Sequence, residues 1–267
     1  MKRLLYACLA AAAAFAQSPV EGPDTFEVAS IKPGNPLSNG SSMGYQPGVG
    51  LRIENATLEQ IVESAYDLRD FQLIGAPAWM KNERYVIVAK GVLTSGPANY
   101  RDMSDAQRKA AGELMRTRLR KLLAERFQLV VHTETRELPM YALVVAKAGA
   151  KMQANTLPDG SPQMAMINRG VYKVTRSAMA NVAANLAGIT GRPVHDETGL
   201  TGFYDFELKW TPDAPAAAPD GVERTAEPVT GPTLFTALQE QLGLKLESKK
   251  GPVPVVVIDR VEHLTEN

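Results

Sequence analysis

The sequence predicts an α+β fold: repeated helix–strand–strand units forming two similar halves, with mainly antiparallel sheets and helices packed on one face. Three observations predict it. Stretches with apolar residues at i, i+3, i+4 and i+7 alternate with stretches of period two. A helical stretch followed by two strand-like stretches recurs four times. The connections within each expected hairpin are too short for a parallel crossover, which requires a dozen or more residues.

The elements follow in order. "TFEVASIKP" and "LRIEN" read as strands at the front of the first half. "TLEQIVESAYDL" places Leu58, Ile61, Val62 and Ala65 on one helix face, and Thr57 with Gln60 fits a capping box. Strands "FQLIG" and "RYVIVAK" follow. The longer helix "SDAQRKAAGELMRTRLRKLLAERF" carries Leu114, Met115, Leu119, Leu122, Leu123 and Phe127. Its strands are "QLVVHTET" and "MYALVVAK", joined by "RELP". "VYKVTR" leads into the third helix, "SAMANVAANLAGI", whose apolar face is Met179, Val182, Ala183 and Leu186. "RPVHDE" and "FYDFELKW" are expected to form its hairpin, with "TGLTG" as the turn. In the fourth unit "GPTLFTALQEQLG" stops at Gly243. The strands "LKLESKK" and "VPVVVIDRVE" come next, joined by Gly251 and Pro252. The two halves are expected near 17–150 and 151–267, with an Ala/Pro linker at 211–232. Residues 32–50, 91–104 and 148–169 read as irregular, polar connections.

The N-terminus opens on Lys2 and Arg3, continues with the apolar run Leu4 to Ala14, and offers Ala14-Phe15-Ala16 for cleavage before Gln17. This is the layout of a secretory signal peptide over residues 1–16, too short for a membrane span. The alternative, lipidation at Cys8, fits less well because most of the apolar run follows the cysteine. Export to the periplasm or the outside is therefore the expected localisation. Cleavage removes the only cysteine, so the remaining chain depends on core burial and not on disulfides. The whole chain balances 29 basic against 29 acidic residues. That balance offers no electrostatic footprint for nucleic acid. No further apolar stretch reaches the length of a membrane span.

The chemistry-bearing motifs are sparse. His132, His195 and His263 are far apart, without the H-x-H or HExxH spacing of a metal site, so neither metal nor cofactor is expected. There is no G-x-S-x-G or S-x-x-K. Gly48 and Gly50 begin no phosphate loop, since Ile53 stands where a third glycine belongs. Arg116, Arg118, Arg120, Lys121 and Arg126 read as a solvated helix face. In "FYDFELKW", Tyr204, Phe206, Leu208 and Trp210 alternate with Asp205, Glu207 and Lys209, which places the carboxylates on a wet face. His195, Asp196 and Glu197 remain the candidate catalytic residues, because they flank the expected turn.

"FEVASIKP", "LIGAPAWMKNERYVIVAK", "LLAERFQLVVHTETRELPMYALVVAKAGAKM", "PVHDETGLTGFYDFELKWTPD" and "LFTALQEQLGLKLESKKGPVPVVVIDRVE" together resemble the landmarks of a large family of uncharacterised secreted proteins expanded in acidobacterial soil bacteria. The resemblance spans nearly the whole mature chain. It implies no catalytic residues. In related chains a similar domain is attached to membrane metallopeptidases of the beta-lactam-sensor type, which implies sensing or binding. The helix–strand–strand pattern is also similar to the short N-terminal domain of secretins and TonB-dependent receptors, a module for protein contacts. The expected function is accordingly an exported, non-enzymatic binding or interaction module of the cell envelope. It would take an envelope protein or small ligand through exposed strand edges and the 32–50 loop. The alternatives are an exported hydrolase with its site at the junction of the halves, or a sensor for a cell-wall fragment or antibiotic.

Overall fold

A computed structural model describes residues 19–38, 40–158, 163–168, 170–212 and 231–264. The expected signal peptide and most of the 211–232 linker lie outside the described residues. The fold is α+β, with mainly antiparallel sheets and few helices. By contact the described residues form two compact units, one within 1–68, 75–132 and 257–267, the other within 69–74 and 133–256. Neither is a continuous stretch of chain.

The first unit holds β1 (Val28–Pro33), β2 (Ser42–Gln46), β3 (Gly50–Thr57) and β5 (Arg84–Lys90) in one antiparallel sheet of order β1-β5-β3-β2. Part of the expected 32–50 connection is thus strand β2. Helix α1 (Leu58–Tyr66) starts at Thr57, whose side chain and that of Gln60 close the capping box. It buries Leu58, Ile61, Val62 and Ala65. The longer α2 (Asp105–Phe127) carries the same device at Ser104 and Gln107. Ala111, Met115, Leu119, Leu122, Leu123 and Phe127 form its buried stripe.

Arg118 lies inside that stripe, fully buried. This corrects the reading of Arg118 as part of a solvated face, on which Lys121 and Arg126 are exposed. Its guanidinium donates to the carbonyls of Pro23 (2.8 Å), Gly48 (3.0 Å), Val49 (2.9 Å) and Val92 (2.5 Å). A planar fork with five donors can serve several acceptors at once. Glycine keeps the socket open: a Cβ on Gly22 would stand 2.8 Å from the guanidinium, and one on Gly91 would overlap it.

The second unit holds β7 (Gln153–Asn155), β8 (Met164–Asn168), β9 (Val171–Ser177) and β11 (Phe203–Lys209) in an antiparallel sheet of order β7-β11-β9-β8. This is the order of the first unit's sheet: first, fourth, third and second strand in chain sequence. A helix follows the third strand in both, α1 after β3 and α3 (Met179–Thr190) after β9. In both, a residue with positive φ sits two positions before the N-cap, Asn55 and Arg176. The core of the second unit is α3, β9, β11 and α4 (Leu234–Ala237, continued as one π-helical turn over Leu238–Leu242), around Tyr172, Val182, Leu186, Leu208 and Leu238.

The remaining sheet has the order β10-β6-β12-β4, with β4 (Leu73–Ile74), β6 (Val130–Val145), β10 (Val194–Asp196) and β12 (Leu244–Arg260). Two expected hairpins are absent here. "VVHTETRELPMYALVV" and "LKLESKKGPVPVVVIDR" each run on as a single long strand. Gly251 does not turn, because its φ is not positive and its backbone lies against Met140, where a Cβ would stand 2.6 Å from the sulfur. Pro139 and Pro252 are exposed positions of these strands.

The third expected hairpin also fails. β10 pairs in parallel with β6, His195 beside Ala142 and Asp196 beside Leu143, while β11 pairs with β7 and β9. "TGLTG" therefore links two sheets instead of turning within one. Alternation in β11 holds from Phe206 to Lys209, but it cannot distinguish a neighbour in sequence from a neighbour in space.

Candidate functional site

The residues favoured by sequence line none of the cavities described below. His195 and Asp196 on β10 and Glu197 just after it are exposed. The Asp196 carboxylate accepts from the backbone N–H (3.0 Å) and hydroxyl (2.7 Å) of Thr198, a local Asx turn. Glu197 pairs with Lys249. The geometry joins none of the three to another as acid, base or nucleophile. His132 hydrogen-bonds Asp259 (2.9 Å), and His263 pairs with Glu83 (2.9 Å). Among the described residues no three His, Cys, Asp or Glu side chains converge as metal ligands.

Asp205 corrects the wet-face assignment. A bulge between Tyr204 and Phe206 turns it inward. Its carboxylate accepts from the Arg176 backbone N–H (2.7 Å) and the Asn155 amide (2.8 Å). The Arg176 guanidinium lies 3.9 Å above the Phe203 ring. Asp205 is therefore a structural acceptor that holds the positive-φ corner ahead of α3. Replacing it by alanine leaves a partly buried N–H unsatisfied, and is expected to cost about 2 kcal/mol in urea unfolding.

The chemistry of the second unit collects instead around β8, a stretch read from sequence as polar and irregular. Among the described residues β8 is an edge strand, so one row of its backbone N–H and C=O groups has no neighbouring strand there. It carries no charge, and its large side chains are exposed: Met164 66%, Met166 46% and Ile167 43%. Its register with β9 places Ile167 beside Tyr172 and Ala165 beside Val174, on the side facing the core. Met164 and Met166 stand on the opposite face, beside Thr175 and Lys173.

Two cavities open along this edge. A smaller one, about 260 Å³, lies between Met164, Ala165 and the Asn181, Ala184 and Asn185 side chains of α3. A larger one, about 920 Å³, takes in Ile167 and Asn168 on one side and Gly188 to Thr190 on the other. Positions 181, 184, 185 and 188 are one stripe of α3, since they follow the i, i+3, i+4, i+7 spacing. The stripe is small or polar, which leaves room above Asn181, Ala184 and Asn185, while the Arg69 guanidinium lies 3.4 Å from where a Cβ on Gly188 would stand. Aromatic rings close the larger cavity: Trp210, with Tyr141 and Phe235 packed edge to face at 5.5 Å. Arg192 lies 5.6 Å over the Tyr141 ring and is the charged group of the lining.

β2, the equivalent edge of the first unit, differs. Tyr45 stacks on Tyr100 at 4.5 Å, and Met43 accepts from the Ser64 hydroxyl at 3.0 Å. Its apolar side chains already have partners within the unit.

Residues 59–261 match the family model described as protein of unknown function (DUF3738). The chain belongs to this family. The DUF3738 match takes in β8, α3, Arg192 and the aromatic rings of the larger cavity. No curated protein and no solved structure matches the chain. Among the described residues, no helix is long and apolar enough to cross a membrane.

Proposed function

We propose that this chain is an exported binding module of the cell envelope, and that its second unit receives an extended polypeptide segment of a partner. One observation carries the reading. The uncharged edge strand β8 and the small-residue stripe of α3 run side by side, with a cavity at each end. An extended peptide laid along β8 would gain main-chain hydrogen bonds from the free edge. The cavities would hold alternate side chains, because successive residues of a strand point to opposite sides. Arg192 at the aromatic end favours an acidic side chain or a terminal carboxylate there. The identical strand order of the two four-stranded sheets supports reading the chain as two related halves, which differ in that the apolar side chains of β2 have partners within its unit. Export rests on the N-terminal residues 1–16.

A random-peptide display selection on the purified chain tests this. Apolar, strand-forming peptides should be enriched, and Met166→Lys should weaken them at least tenfold, since lysine blocks edge pairing. His195→Ala, at a residue that lines neither cavity, should leave binding unchanged. Selected peptides that bind the Met166→Lys variant as well as the parent would refute the assignment.

A further inference from the structure

The first unit contains a second cavity, of about 860 Å³, a volume typical of small-molecule sites. Its apolar wall comes from Ile31, Pro33 and Pro36, and its polar wall from Glu83, Arg84 and Arg126, closed by His263. The charges are unevenly satisfied. Among the described residues Glu83 is the lining's only carboxylate, and it is engaged within the unit. It accepts the Tyr85 hydroxyl (2.7 Å) and pairs with His263 Nδ1 (2.9 Å), whose ring stacks on Trp79 at 4.0 Å. Burial, reinforced by Glu83, pushes the Tyr85 phenol well up, so it remains a donor.

The two guanidiniums have no such partner. Arg84 donates to a neutral acceptor, the Asn55 carbonyl (2.9 Å), and neither Arg84 nor Arg126 has a carboxylate partner among the described residues. Arg84 is half-buried, so its charge is partly desolvated without compensation. An anion is the complement that this wall lacks, and a carboxylate matches a guanidinium in geometry as well as charge. The apolar wall opposite gives the ligand a hydrocarbon body. Glu83, held by Tyr85 and His263, also positions the imidazole so that its Nε2 is the nitrogen left for a ligand.

We propose that this cavity is a binding site for a small organic carboxylate with an apolar body, read by Arg84 and Arg126. It is independent of the peptide groove, since it uses no residue of the second unit.

Titration calorimetry of the full chain with octanoate, octanamide and inorganic phosphate tests the proposal. Octanoate should bind, and octanamide, of equal length but neutral, should bind at least tenfold more weakly. Phosphate alone should bind more weakly than octanoate, because it lacks the apolar body. Arg126→Gln, at an exposed position with no ion-pair partner among the described residues, should weaken octanoate at least fivefold. Unchanged thermal unfolding would show that this variant is folded. Equal binding of octanoate and octanamide, undiminished binding by folded Arg126→Gln, or no octanoate binding at millimolar concentration would each overturn it.

Discussion

Arg118→Met is expected to destabilise the protein by about 4 kcal/mol, seen as a lower urea midpoint with an unchanged slope. The side chain that sequence places on a wet helix face instead holds four carbonyls from three separate segments, 22–24, 48–49 and 91–92. Methionine fills much of the volume and keeps the helix, but it supplies none of the donors. Each buried carbonyl left unsatisfied costs about 1 kcal/mol or more. Arg118→Lys should fall between the two, because one ammonium cannot reach acceptors spread around a planar fork. An exposed arginine would change stability by no more than about 0.5 kcal/mol, so a neutral result would contradict the buried geometry.

Gly243→Ala is expected to cost about 3 kcal/mol, measured the same way. Gly243 has φ 65° and ends the fourth helix. Left-handed backbone costs alanine about 1 kcal/mol. The larger cost is steric. A Cβ would fall on the Gly149 carbonyl oxygen, in a turn tied to this site by Ala146 N–H to Gly243 O (2.8 Å) and Lys151 N–H to Leu242 O (2.9 Å). Moving that oxygen disturbs backbone bonds, not a flexible side chain. Gly191→Ala is the control. It has φ 63° and open space around it, so it should lose only the conformational share, about 1 kcal/mol.

The local structure was legible where local physics decides it. Thr57 with Gln60, the apolar stripe from Leu58 to Ala65, and the alternation in "RYVIVAK" each carry their own signal, and each is an element of the fold. What failed was pairing. "RPVHDE" and "FYDFELKW" are strand-like and close in sequence, but β10 finds its partner in β6. Pro139 and Gly251-Pro252 read as turns, because composition does not show that the chain there is extended against a neighbour. Arg118 was hidden because only tertiary carbonyls make its burial tolerable.

The candidate site was less legible. The triplet of His195, Asp196 and Glu197 attracts attention as a cluster in sequence, but exposure and the Thr198 and Lys249 contacts give it an ordinary surface setting. "MAMIN" was overlooked within a polar stretch. Its signal, a short uncharged apolar run, is weak until the sheet order shows that it is an edge.

The most direct test of the binding account is amide hydrogen exchange across Met164–Asn168, comparing the free chain with the chain saturated by a display-selected peptide. A peptide added to the edge should slow exchange in β8 at least tenfold, with little change in β2. Unchanged exchange in β8 at saturation, with protection elsewhere, would contradict the account.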